Sequence, residues 1–197
     1  ESVLVHGAAG RVGTAVLELG AVAGLRLYGT CSARGASTVS GMGGIPIDYK
    51  TQDFVEVLRK ATADGVDAAF DGIGGDHAWQ SREALRSGGK VVMYGFTSSL
   101  HGGRMKPGRP GGRHRFRESA VLGAYVVRSW LLPGRRWLVP YSIQWLKRLM
   151  PAWFRQDLTL LLALLQQAKI KPLIAQRFPL AEARHAHDLL GKGGVTG

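Results

Sequence analysis

The sequence predicts a three-layer α/β protein built on a doubly wound parallel sheet. Three observations predict it. From the first residues to about residue 100, short apolar runs alternate with stretches of helical periodicity. The runs are apolar throughout rather than alternating with polar residues, which is the pattern of strands covered on both faces. A glycine-bearing turn, His6-Gly7-Ala8-Ala9-Gly10-Arg11-Val12-Gly13, joins the first run to the first helical stretch.

Each element follows in order. Val3–His6 reads as a buried strand, and Thr14–Ala23 as a helix with Val16, Leu17 and Leu19 near one face. Leu25–Thr30 and Ile45–Tyr49 are the second and third strands. Asp53–Ala63 is a helix, with Phe54, Val57, Leu58 and Ala61 at i, i+3, i+4, i+7. Val66–Phe70 is the fourth strand. Ala78–Arg86 is a helix stopped by Ser87-Gly88-Gly89, and Val91–Tyr94 the fifth strand. Ser98–Arg117 is rich in Gly, Pro and Arg and reads as a loop. Further on, Ala120–Val127 reads as a strand and Leu158–Ala168 as a helix. Leu173–Phe178 reads as a strand, and Leu180–Leu190 as a helix opened by Pro179. The expected organisation is a single domain over residues 1–197 with a basic, aromatic-rich insert at about 98–155.

The glycine turn has a physical reading. Gly10 lacks a Cβ, so the backbone can sit against a pyrophosphate, and Gly13 lets the helix pack closely on the strand. Free N–H groups and the positive end of the helix dipole then meet the phosphates. This is the Rossmann-type dinucleotide pattern G-x-G-x-x-G with Ala8 in the first place. The competing reading is a plain strand-to-helix turn.

Composition narrows the class. Of 197 residues 45% are hydrophobic and 20% charged, which suits a globular protein. The single cysteine, Cys31, excludes an internal disulfide framework and a multi-cysteine zinc site. The chain opens on Ser2-Val3-Leu4-Val5 with no charged leader, and no apolar run approaches the roughly 18 residues of a membrane span. The expected setting is cytoplasmic.

A net charge of +12 suggests nucleic acid until it is located. Residues 101–155 hold twelve Lys/Arg against the single Glu118, while residues 1–100 are nearly balanced. Four of the five tryptophans fall in the same region. The basic segment can be core or interface with a solvated rim, a lid over a lipophilic substrate, a membrane-surface element, or a single-strand nucleic-acid site. The first reading is preferred; nucleic acid is the least favoured.

At this point the chain resembles the medium-chain dehydrogenase/reductase superfamily, and within it the zinc-independent quinone oxidoreductase-like branch. That branch reads A-x-G-G-V-G after its first strand, where this chain has Ala8-Ala9-Gly10-Arg11-Val12-Gly13. Tyr28–Ser32, Ile47–Phe54, Gly65–Gly75 and Gly88–Gly95 resemble successive strand ends of the family. Ile170–Pro172, Phe178–Ala183 and Gly193–Gly197 resemble its closing motif. The resemblance covers roughly residues 1–100 and 155–197. It implies that a substrate-gripping catalytic domain precedes Glu1 and that this chain is the cofactor-binding part.

For the cofactor, an acidic residue about 18–20 positions after Gly13 would grip the adenosine ribose of NAD. That place falls at Cys31–Ala33, which holds none. Ser32 and Arg34 can instead meet a 2′-phosphate. Each can equally be an ordinary turn or solvated loop residue. NADP(H) is therefore expected over NAD(H). The expected cofactor-binding residues are Ala9, Gly10, Arg11, Val12, Gly13, Thr30, Ser32, Arg34, Tyr49, Asp71, Ile73, Gly95 and Phe96. The resemblance supplies Tyr49 at the adenosine end. It also places Asp71, Ile73, Gly95 and Phe96 around the nicotinamide and its ribose; Asp71 can alternatively cap the helix after Gly74-Gly75.

No catalytic residue is expected within this chain, and no metal site. His6 reads as structural, His77 sits at a helix start, and His185 and His187 are two apart and share no helix face. The expected activity is a quinone or enone reductase using NADPH on a small lipophilic carbonyl, quinone or enoyl substrate, with a homodimer possible. The alternatives are the cofactor domain of a zinc-type alcohol dehydrogenase and a non-catalytic nucleotide-binding module.

Overall fold

The computed structural model describes residues 1–74, 76–95, 123–124, 126–131 and 135–192. In chain order, β1 (Ser2–Val5) leads into α1 (Arg11–Val22), β2 (Arg26–Cys31) and a 3-10 turn (Ala33–Gly35). Then come α2 (Ala36–Gly41), β3 (Gly44–Asp48), α3 (Phe54–Ala61), β4 (Val66–Asp71), α4 (Asp76–Glu83) and β5 (Leu85–Met93). Further along the chain lie β6 (Trp137–Pro140), α5 (Ile143–Leu149), α6 (Pro151–Gln166) and α7 (Ala183–Lys192).

The strands form one sheet in the order β3-β2-β1-β4-β5-β6, with every pairing parallel. Parallel neighbours need crossovers, and helices supply them over both faces. β1 shows why. Leu4 packs with Tyr28, Ile47, Leu58 and Ala69 on one face. Val3 and Val5 point the other way, onto Leu17, Leu27 and Val39. Two apolar clusters therefore sandwich one sheet, giving the three layers that the sequence predicts. Between β1 and β4 the strand order reverses direction. A crevice opens there at the carboxyl ends of the strands.

Local chemistry sets the helix starts. Asp53 caps α3, its carboxylate accepting from the N–H groups of Val55 and Glu56. Phe54, Val55 and Leu58 then face the core.

Several expectations are corrected. The helix expected at Ala78–Arg86 ends at Glu83, because Leu85, fully buried, already belongs to β5. Ser87-Gly88-Gly89 is not a helix stop but part of a bulge: β5 passes from Leu85 to Lys90 while β4 passes from Val66 to Ala68. Gly88 takes a positive φ of 82° within it. The strand expected over Ala120–Val127 is contradicted at its end, since residues 126–131 are helical. Residues 173–178 form no strand, having no ladder partner among the described residues. The last helix begins as a 3-10 turn at Leu180–Glu182. β6 emerges from the basic segment: Leu138 is buried against Val91, and its N–H donates to Ser129 Oγ at 3.1 Å.

Elsewhere in that segment α5 and α6 contain no buried residue, and Trp145, Leu149 and Trp153 are exposed. Among the described residues no helix is long and apolar enough to cross a membrane.

Candidate functional site

The site is built from strand ends. β1 ends at Val5, and the chain turns through His6 to Gly10 into α1. The turn is pinned at two points: Ala8 N–H donates to the Thr30 carbonyl (2.9 Å) and Gly10 N–H to the Gly7 carbonyl (2.8 Å). Gly10 stands at the N-cap of α1 with no side chain to occupy the first turn, and no acidic residue lies in that turn. Arg11 and Val12 are exposed there. Gly13 has no room for a side chain, since a Cβ would lie 2.4 Å from the Gly7 oxygen and 2.6 Å from Ala8 Cα. At Gly10 a Cβ would approach the Gly7 oxygen at 3.1 Å. The turn is thus a backbone cradle whose exposed edge is N–H groups, the shape that accepts an anion.

A cleft of about 1000 Å³ opens beside this turn, walled by Gly7, Thr30, Tyr49, Phe54, Ile73 and His77. Four sequence-predicted elements therefore meet here: the glycine turn, Thr30, Tyr49 and Ile73. Ser32 and Arg34 lie just beyond, at the 3-10 turn after β2. The Ser32 hydroxyl caps nothing in that turn, and Arg34 is exposed with no ion-pair partner among the described residues. On the far side of β4, Gly95 packs on Gly72, where a Cβ would meet the Gly72 oxygen at 2.7 Å. Phe96 lies outside the described residues.

Asp71 is where the two readings of the sequence part. Its side chain is fully buried. Oδ1 accepts from Ile73 N–H (2.6 Å) and Gly74 N–H (2.9 Å); Oδ2 accepts from His77 Nδ1 (3.0 Å) and Ser81 Oγ (3.3 Å). Both oxygens are committed, to the turn that precedes α4 rather than to the first N–H groups of that helix and to the His77 and Ser81 side chains, which leaves no carboxylate edge for a ribose. Burial raises its pKa, but the hydrogen bonds from His77 and the Gly74 backbone outweigh this and hold it at about 2.

Sequence reasoning missed the network that Asp71 anchors. His6 Nδ1 lies 3.0 Å from Thr30 Oγ1 and His6 Nε2 2.9 Å from Ser81 Oγ. The proton assignment that satisfies most groups runs in one direction. Thr30 donates to Nδ1, Nε2–H donates to Ser81, and the Ser81 hydroxyl is shared between the His77 carbonyl (2.9 Å) and Asp71 Oδ2 (3.3 Å). His6 is then neutral, and burial beside His77 pushes its pKa down to about 3. Nothing in the spacing 6, 30, 71, 77, 81 signals this. Parallel register does it, setting Val5 beside Gly29 on one side and Phe70 on the other.

His6 predicts an acid sensitivity. Unfolding releases it to the ordinary value of 6.5. Below that pH the unfolded chain binds a proton that the folded chain refuses, so stability is full above 6.5 and falls toward pH 3. The slope is about 1.4 kcal/mol per pH unit. Urea midpoints between pH 6.5 and 5 should show this slope in the wild type and lose it in His6→Asn. An unchanged slope in the variant would refute the assignment.

The same cluster bears on metal. Ligand atoms of His6, Asp71 and His77 lie within 4.8 Å of one another, a convergence that the sequence did not show. Yet the ring nitrogens facing Ser81 and Asp71 are already hydrogen-bonded, as is the Asp71 carboxylate. Cys31 is buried, and burial beside Asp48 raises its thiol pKa. Among the described residues this donor set, already committed to hydrogen bonds, does not fit a zinc ion.

Sheet order, glycine turn and cleft together define a Rossmann-type α/β protein. A family model described as zinc-binding dehydrogenase matches residues 44–197. The synaptic vesicle membrane protein VAT-1 homolog of Danio rerio is 30% identical over 199 residues, covering 94% of this chain and 37% of that protein. Quinone oxidoreductase of Mus musculus is 26% identical, covering 100% and 53%. Among solved structures, 2-haloacrylate reductase superposes with a TM-score of 0.75 at 28% identity, covering 100% of this chain and 56% of that one. Escherichia coli quinone oxidoreductase complexed with NADPH gives 0.74 at 25%, covering 100% and 55%. The chain belongs to the zinc-binding dehydrogenase family, as the cofactor-binding part of a medium-chain dehydrogenase/reductase. It spans about a third to a half of the length of the curated relatives named here.

Proposed function

We propose that this chain is the NADP(H)-binding part of a nicotinamide-dependent oxidoreductase of the quinone and enone reductase type. The observation that carries the reading is the Gly7–Gly13 turn: a cradle that a Cβ at Gly13 would fill, opening on uncapped N–H groups beside a cleft. The E. coli relative was solved with NADPH on the same fold. Bound there, the cofactor supplies hydride. The chain's own residues bind and orient it. Gly10, Arg11, Val12 and Gly13 would hold the pyrophosphate, with Ala9 beside them. Thr30, Tyr49 and, on the same cleft wall, Ile73 would line the adenosine side, and Gly95 the approach to the nicotinamide.

Selectivity for the 2′-phosphate follows from charge. β2 ends at Cys31 and Ser32 follows it, with no carboxylate in the place that grips a ribose diol. Arg34 projects beside it with five donors to offer. Asp48 stands next to Cys31 on β3, but its Oδ1 is turned to the Lys50 N–H at 3.0 Å. Arg34→Ala is expected to weaken NADPH binding about tenfold while leaving NADH unchanged, as loss of one charge-assisted contact does. Equal effects on both cofactors would contradict this. NADPH oxidation by the full-length protein across a panel of quinones and enones tests the activity; binding without turnover on any of them would leave only a nucleotide-binding role.

A further inference from the structure

We propose that His77 reads the adenine base of the dinucleotide, its Nε2 accepting a hydrogen bond from the exocyclic amine; this rests on the reading that the cleft takes a nicotinamide dinucleotide.

The argument begins with a tautomer. Asp71 Oδ2 lies 3.0 Å from His77 Nδ1. A carboxylate only accepts, so Nδ1 carries the proton. Asp71 stays ionised at ordinary pH because His77 and the Gly74 backbone donate to it. Where the imidazole carries only that proton, Nε2 is a lone pair, and this is the form that the proposal requires. It has no partner among the described residues, and His77 is a half-buried wall of the cleft. The ring is wedged edge-on against His6, centroids 4.2 Å apart, with Phe54 at 5.5 Å. Ring packing thus fixes the direction in which Nε2 points.

Position supplies the ligand. With phosphates on the glycine turn and a ribose at the end of β2, the base continues into the space between the ends of β2 and β3 and helix α4. That space is this cleft, whose walls include Thr30, Tyr49, Phe54 and His77. The other acceptors there are otherwise occupied or peripheral. Asp53 caps α3. Glu56 and Glu83 pair with Lys60 and Arg59 at the exposed rim. Gln80 is exposed. Adenine presents an amine on its outer edge; hypoxanthine presents a carbonyl oxygen there, which would set lone pair against lone pair. A fixed acceptor therefore selects adenine.

The test compares equilibrium binding of NADPH with that of its hypoxanthine analogue, using the full-length protein. The wild type is expected to bind the analogue about tenfold more weakly, the scale of one hydrogen bond replaced by a buried mismatch. In His77→Phe, which keeps a ring but removes the acceptor, the two should bind within about twofold. Equal binding of both by the wild type overturns the proposal, and needs no variant to fold. So does a tenfold preference that survives in His77→Phe. If neither dinucleotide binds the wild type, the cofactor reading falls and takes this proposal with it; if NADPH binds and the preference is absent, only this proposal falls.

Discussion

Gly13→Val is expected to destabilise the protein by about 3 kcal/mol and to lower its melting temperature by roughly 6–12 °C. A side chain at this position has nowhere to go. Its Cβ would fall 2.4 Å from the Gly7 carbonyl oxygen and 2.6 and 2.8 Å from Ala8 backbone atoms. These are main-chain atoms of a turn tied to β2 by the Ala8–Thr30 bond, so they cannot swing aside. Relief requires α1 to lift from β1, which parts Leu17 from Val3, Val5 and Leu27. The same lift spoils the cradle, so dinucleotide affinity should fall at least about a hundredfold, roughly 2.7 kcal/mol. Gly7 gives the contrast. It has a φ of 60° and open space around its absent Cβ. Gly7→Ala therefore meets only the backbone strain of that conformation, about 1–2 kcal/mol. Thermal unfolding of the pair measures both; a Gly13→Val protein melting with the wild type would show that the turn is not packed as described.

Asp71→Ala carries the second large effect. The carboxylate is buried and serves two backbone N–H groups, His77 and Ser81. Removing it strands the Ile73 and Gly74 N–H groups and His77 Nδ1, while Ser81 Oγ keeps the His77 carbonyl at 2.9 Å, and the expected loss is about 3–5 kcal/mol at pH 7. The pH dependence gives the signature. The folded pKa of about 2 lies below the ordinary 3.8. The contribution is therefore complete above pH 4 and drains away as pH falls through 2. Denaturant midpoints of wild type and variant should lie far apart at pH 7 and converge toward pH 2. A gap that stays constant with pH would mean that the carboxylate charge contributes nothing.

Most of the sheet was legible because parallel strands covered on both faces are written as plain apolar runs. Val3–Val5, Leu27–Tyr28 and Val66–Phe70 say so directly. The edges were harder. β6 lies among arginines and prolines, and only contact with Val91 makes Leu138 a core residue. Gly88-Gly89 looked like a helix stop because glycine serves a bulge and a C-cap for the same reason, freedom in φ. α2 escaped notice: its six residues, Ala36–Gly41, bury only Val39. At the site, the turn was legible because contiguous residues build it. The His6–Ser81–Asp71–His77 network was not, since strand register and the start of α4 bring together residues scattered over 75 positions. Asp71 was noticed for its place at a strand end, but only its hydrogen bonds show that it holds the crevice rather than the ligand.

The central claim is that this crevice holds NADP(H). Calorimetric titration of the full-length protein with NADPH and NADH, side by side at one ionic strength, tests it most directly. One NADPH should bind per chain, with NADH about tenfold or more weaker, and Gly13→Val should abolish both signals. Absence of heat and of competition for either dinucleotide, in a protein that melts cooperatively, would contradict the account.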